Sequence, residues 1–99
     1  MTKPVVELLV VDGRPTIRGE CDLSCASEIE AWLLSFATPV LEVDLSGVSF
    51  IDSSGLKAFL NVRRHNAKMR IVEPSAVVLR VLDMTKTREY LVDGMGSGG

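Results

Sequence analysis

The chain of 99 residues has only two cysteines, Cys21 and Cys25, and a single histidine, His65. A structural zinc normally takes four Cys or His ligands; three, one of them remote in sequence, argue against such a site. Two reduced, mostly buried thiols are expected instead. An excess of charge is also lacking, since 11 Lys and Arg meet 13 Asp and Glu for a net charge of −2. A nucleic-acid binder usually carries a basic face, so that class is not expected. One basic stretch, Arg63-Arg64-His65 with residues 68–70, reads as a solvated helix end. No apolar window approaches the roughly 18 residues of a membrane span. The start, Met1-Thr2-Lys3-Pro4, leads into a short apolar run interrupted by Glu7, unlike a secretory signal. A cytoplasmic protein that engages no membrane is expected. Neither common glycine-rich nucleotide loop is present, and His65 has no nucleophile and acid beside it. No catalytic activity, metal or cofactor is expected.

What is present is a small α/β pattern. Hydrophobic residues make up 46% of the chain, enough for one core. Residues 5–11 are apolar and β-branched and predict a strand; Asp12-Gly13-Arg14-Pro15 predicts a turn, and 16–19 the returning strand. That second strand alternates weakly, which suggests an edge position. Ser24 reads as the N-cap of a helix whose apolar stripe is Ala26, Ile29, Leu33 and Phe36, with Trp32 beside it and Pro39 closing the region. Residues 40–45 predict a central, largely covered strand. After Ser46-Gly47 comes 48–51, then Asp52-Ser53-Ser54-Gly55. Leu56, Phe59, Leu60 and Arg63 predict a second helix to about His65. Residues 69–72 predict a short strand and 74–84 a third helix starting near Pro74. Residues 90–92 suit a last helical turn or a short strand. The expected domain is 1–92, with 93–99 a flexible glycine-rich tail. The fold class is α/β: a small mixed sheet of four to five strands with helices mainly on one face.

Asp52-Ser53-Ser54-Gly55 stands where a buried strand ends and an amphipathic helix begins. Ser53 falls at the N-cap or next to it, where the unbonded N–H groups of a first turn are gathered. The same place suits a phosphate. Ser, Asp and Gly are also what any strand-to-helix turn uses, so local chemistry leaves a plain cap and a phosphate seat both open.

The run from Val43 through Leu56, Val-Asp-Leu-Ser-Gly-Val-Ser-Phe-Ile-Asp-Ser-Ser-Gly-Leu, resembles the signature of bacterial anti-sigma factor antagonists of the STAS family. Gly19-Glu20-Cys21-Asp22 is similar to the family's Gly-Glu-Leu-Asp, and Pro74 with Leu82-Asp83-Met84 to the ends of its late helix. Three places depart from the pattern. Cys21 replaces a leucine, the loop at 65–68 is short and lacks Gly-Gly, and Lys86-Thr87-Arg88 replaces Gly-Leu.

The resemblance implies a non-enzymatic switch. Such a protein, unphosphorylated, binds an anti-sigma factor with kinase activity and frees a sigma factor; ATP and magnesium belong to the partner. The kinase inactivates it on the motif serine, and a serine phosphatase reverses this. By position the acceptor is Ser53, with Ser54 the runner-up. Asp22, Asp52, Ser53, Ser54, Gly55 and Leu56 are the implied partner-binding residues. Other STAS modules serve stress-signalling, lipid-transport or nucleotide-sensing assemblies, but these often lack the acceptor serine.

Overall fold

The computed structural model describes residues 6–93. The expected positions Val5 and 94–99 of the tail lie outside these residues, and Asp93 is an exposed bend. Val6–Val11 forms β1 and Arg14–Cys21 forms β2, antiparallel to it. The turn between them needs two positive φ angles, supplied by Asp12 at 52° and Gly13 at 77°. Ala26–Leu34 is α1, Leu41–Ile51 is β3, and Ser53–His65 is α2. Met69–Val72 is β4, Ala76–Thr85 is α3, and the single turn Arg88–Leu91 is α4. The sheet is mixed, ordered β1-β2-β3-β4, with β2, β3 and β4 parallel. Helices lie mainly on one face. Among the described residues no helix is long and apolar enough to cross a membrane.

Several expectations change. β2 is interior; the edge belongs to β1. β2 does alternate, with Ile17 and Cys21 buried and Arg18 and Glu20 exposed, but the buried Thr16 and the side-chain-less Gly19 blur the pattern in the sequence. Its pairing with β3 shifts register between Thr16 and Arg18 and again between Gly19 and Glu20. At each shift β3 carries one extra residue, so the buried positions of β3 pass from 41, 43 and 45 to 48 and 51. Pro15 is tolerated because it precedes Thr16, the first residue paired to β3. Residues 40–45 and 48–51 merge into one strand through Ser46-Gly47. That strand is central, but its first half does alternate: Leu41, Val43 and Leu45 are buried while Glu42 and Asp44 are half-buried. On that second face Glu42 meets Arg14 at 3.3 Å and Arg70 at 3.9 Å.

Ser24 is not the cap of α1. Its N–H and hydroxyl both donate to Asp22 Oδ1, at 3.0 and 2.6 Å, which holds it in a turn ahead of the helix. Cys25 occupies the cap position, but its side chain makes no bond to the first turn of the helix. α3 begins two residues after Pro74, capped by Ser75, whose oxygen accepts from Val78 N–H. Ser75 also ties the helix to the sheet, its N–H donating to Leu45 O at 3.3 Å and its hydroxyl to Val48 O at 2.7 Å. Since β4 pairs only as far as Asp44, α3 takes over the flank of β3 beyond that point.

The core joins Ile17, Val43, Leu45 and Ile71 of the sheet to Ile29, Leu33, Phe59, Val62 and Leu82 of the helices, all with no exposed surface. One member of the basic stretch joins it. Arg63 is 3% exposed, lies under the Tyr90 ring, and donates to Met69 O at 3.0 Å and Tyr90 O at 2.7 Å. Arg64 and His65 remain exposed as expected. Arg63 is inside because α4 folds back over α2 and brings the Tyr90 carbonyl to it.

Candidate functional site

Strand pairing creates the site. Cys21 at the end of β2 stands beside Ile51 at the end of β3, so the chain leaves the sheet twice at one point. One exit is the turn of Asp22, Leu23 and Ser24; the other is Asp52 and the start of α2. Asp52 N–H donates to Cys21 O at 3.2 Å and locks the two exits together.

Asp52, not Ser53, is the N-cap of α2. Its Oδ1 accepts from Gly55 N–H at 3.0 Å, and its carbonyl accepts the first helical bond from Leu56 N–H at 2.9 Å. Ser53 is therefore the first residue of the helix. It is exposed, and its hydroxyl bonds to nothing among the described residues; Ser54, next along, is half-buried. The N–H groups of Ser53 and Ser54 likewise have no acceptor among the described residues, leaving the positive end of α2 open to solvent. Gly55 is buried because α2 starts directly over β2: a Cβ there would collide with the Cys21 carbonyl oxygen.

The family model for the STAS domain matches residues 10–94. This chain belongs to the STAS domain family. No curated protein sequence matches it. Among solved structures, the STAS chain is similar to an anti-sigma factor antagonist from Mycobacterium paratuberculosis, with a TM-score of 0.73 and 24% identity over 92% of this chain and 87% of that one. It is also similar to the anti-sigma factor antagonist SpoIIAA in its unphosphorylated form, with a TM-score of 0.65 and 23% identity over 88% of this chain and 85% of that one. At these identities the likeness speaks for the fold.

Within this STAS domain the six residues singled out from sequence divide by exposure. Asp22, Asp52, Ser53 and Ser54 reach the surface at the paired exits, while Gly55 and Leu56 are buried, Leu56 at 7% exposure within the core. Hydrogen bonds from Ser24 hold the Asp22 carboxyl below the usual carboxylate range, so it is an anion at neutral pH. The two thiols sit underneath. Burial pushes Cys21 up to about 12, and burial also raises Cys25, whose Sγ donates to Glu20 O at 3.2 Å. Neither is a nucleophile in that state.

Two exposed apolar side chains escaped the sequence reading: Leu23, 76% exposed between Asp22 and Ser24, and Phe50, 45% exposed one residue before Ile51. A leucine or phenylalanine in such a run reads as core until the strand ends are placed. Among the described residues no three His, Cys, Asp or Glu side chains gather as metal ligands would.

Proposed function

We propose that this protein is an anti-sigma factor antagonist, switched off by phosphorylation of Ser53. Unphosphorylated, it binds an anti-sigma factor kinase in the cytoplasm and so regulates transcription by a sigma factor; a serine phosphatase restores the binding form. It catalyses nothing itself, and ATP and magnesium enter with the kinase. The observation that carries this reading is the Ser53 hydroxyl, exposed and unbonded at the first position of α2. It is favoured over Ser54 because a kinase must surround its acceptor oxygen, and Ser54 is half-buried. The two structurally similar proteins are anti-sigma factor antagonists, one of them in its unphosphorylated form, which supports the same role here.

The switch acts on the complex and leaves the fold alone. A phosphate on Ser53 meets the open amides of the first turn, a gain of about 0.3–1 kcal/mol. Asp52 and Asp22, close by, offset part of it. In an interface the added charge of roughly −1.5 to −2 loses its water without gaining a partner. A penalty of about 3 kcal/mol weakens binding roughly a hundredfold. Asp22, Asp52, Ser53 and Ser54 supply the polar contacts of that interface, and Leu23 and Phe50 its apolar ones. Gly55 and Leu56 act from beneath, by setting where α2 begins.

The test is phosphosite mapping after incubation with the cognate kinase and ATP. Phosphate is expected on Ser53 and absent from Ser53→Ala, which still binds the kinase. Uptake of phosphate by Ser53→Ala at an undiminished rate makes Ser54 or another residue the acceptor.

A further inference from the structure

The two edges of the sheet are finished differently. β4 is only four residues long, and beyond it α3 lies against β3. β1, at the other edge, pairs with β2 over six residues without a register break. It contains no proline, lysine, arginine or bulge, the devices that usually keep an edge from pairing. Its one charge, Glu7, stands opposite Arg18. Val10 and Val11 are 57% and 42% exposed.

The hairpin register tells which backbone groups face outward. A two-residue loop makes Val11 and Arg14 a hydrogen-bonded pair, so Leu9 with Thr16 and Glu7 with Arg18 are bonded pairs as well. Pro15 agrees with this phase, because it faces Val10 at a non-bonded position where no N–H is needed. The N–H and C=O groups of Val6, Leu8 and Val10 therefore point away from β2, toward a side that holds no strand among the described residues.

We infer that β1 pairs with β1 of a second copy, antiparallel about a two-fold axis through Leu9. Leu9 then faces Leu9 of the partner subunit, Val10 bonds Leu8 of the partner subunit, and Glu7 lies against Val11 of the partner subunit. Charge selects this register. An axis at Leu8 would set the two Glu7 side chains two residues apart, about 7 Å along the strand. The axis at Leu9 sets them four residues apart, about 14 Å, beyond the screening length of about 8 Å.

A second copy is the occupant because the strand complements itself. In this register each pair over 7–11 is apolar or sets Glu7 against Val11, and the exposed valines of the edge are covered. The assembly also closes, since each copy spends its open edge and only the guarded β4 edges remain outside. The strip is narrower than the roughly 1,200–2,000 Å² of stable complexes, so dissociation is expected on the order of 10–100 μM. Val11 lies at the Arg14 end of β2, away from Cys21 and the Ser53 turn. Dimerisation is thus independent of the switch, and Ser53→Asp leaves it unchanged.

Sedimentation equilibrium of the full chain from about 5 to 500 μM tests this. The mass is expected to rise from 10.8 kDa toward double that value. Val10→Lys, which alters a side chain already in water, and Leu8→Pro, which removes an outward N–H together with a half-buried side chain packed on the core, are each expected to weaken association at least about tenfold. Should Leu8→Pro not fold, Val10→Lys carries the result. On oxidation Leu9→Cys is expected to form a disulfide-linked dimer, and Glu7→Cys, on the same face but off the axis, is not. A mass of 10.8 kDa throughout overturns the proposal. Slow hydrogen exchange at Leu8 and Val10 in such a monomer would assign the edge to a segment of the same chain. Equal cross-linking at both cysteines, or a dimer undisturbed by Val10→Lys, also overturns it.

Discussion

Gly55 rests on the backbone of Cys21: a Cβ added to it would strike the Cys21 carbonyl oxygen and lie 3.0 Å from the Cys21 Cβ. The same oxygen accepts the Asp52 amide. Neither partner can move without opening the joint between the two exits from the sheet. Gly55→Ala is therefore expected to destabilise the fold by about 1–3 kcal/mol, read as a lowered urea midpoint. An unchanged midpoint would show that the first turn of α2 has room to shift.

Ser53 presents the opposite case. Its side chain is exposed and makes no hydrogen bond among the described residues, so Ser53→Asp is expected to keep stability within about 1 kcal/mol of the wild type. Titration calorimetry against the kinase is expected to show binding weakened roughly a hundredfold. A large fall in melting temperature would mean that the charge acts through the fold.

Arg63 ties α2 to β4 and α4 through the carbonyls of Met69 and Tyr90. Arg63→Met fills much of the space but leaves both oxygens without this donor, with an expected loss of about 3 kcal/mol in urea unfolding. Arg63→Lys is expected to recover only part of it, because an ammonium lacks the planar fork and stacks less well on Tyr90.

Lys86 ends α3 in the left-handed region, with φ of 61° and ψ of 35°. Glycine takes this conformation without the Cβ penalty, so Lys86→Gly is expected to stabilise the protein by up to about 1 kcal/mol. The melting temperature checks it; a decrease would mean that the lysine side chain contributes more than its backbone costs.

Burial holds the Cys21 thiol neutral up to about pH 12, against an ordinary value of 9.0. The unfolded chain ionises it from about pH 9, so this contribution to stability is complete below that pH and is lost as the pH rises toward 12. Between those values one such thiol lowers stability by about 1.4 kcal/mol per pH unit. Cys21→Ala is expected to start less stable at neutral pH and to decline less steeply, measured by urea unfolding on both sides of pH 9.

Much of the fold was legible in the residues. The Ser53–His65 helix is visible as a stripe of Leu56, Phe59, Leu60 and Arg63, and the Met69–Val72 strand as a short apolar run. The Asp12-Gly13 turn follows from two residues that tolerate positive φ. Other features were not legible, because they depend on neighbours. Ser24 is a good cap by type, yet Asp22 takes both its donors. Arg63 belongs by type to a solvated helix end, and only the return of Tyr90 explains its burial. The interior position of β2 was hidden because Thr16 is polar yet buried between neighbouring strands and Gly19 offers no side chain, which blurs the alternation of Ile17, Arg18, Glu20 and Cys21.

The order of elements, the stripes that become core faces and the presence of a serine beside a helix start were decided by the sequence, because each follows from local geometry and periodicity. Which of Asp52 and Ser53 caps the helix, and so which hydroxyl stays unbonded, was decided by the tertiary structure. The pairing of Cys21 with Ile51 brings the two exits together and hands the capping role to the carboxylate, leaving the Ser53 oxygen to the solvent.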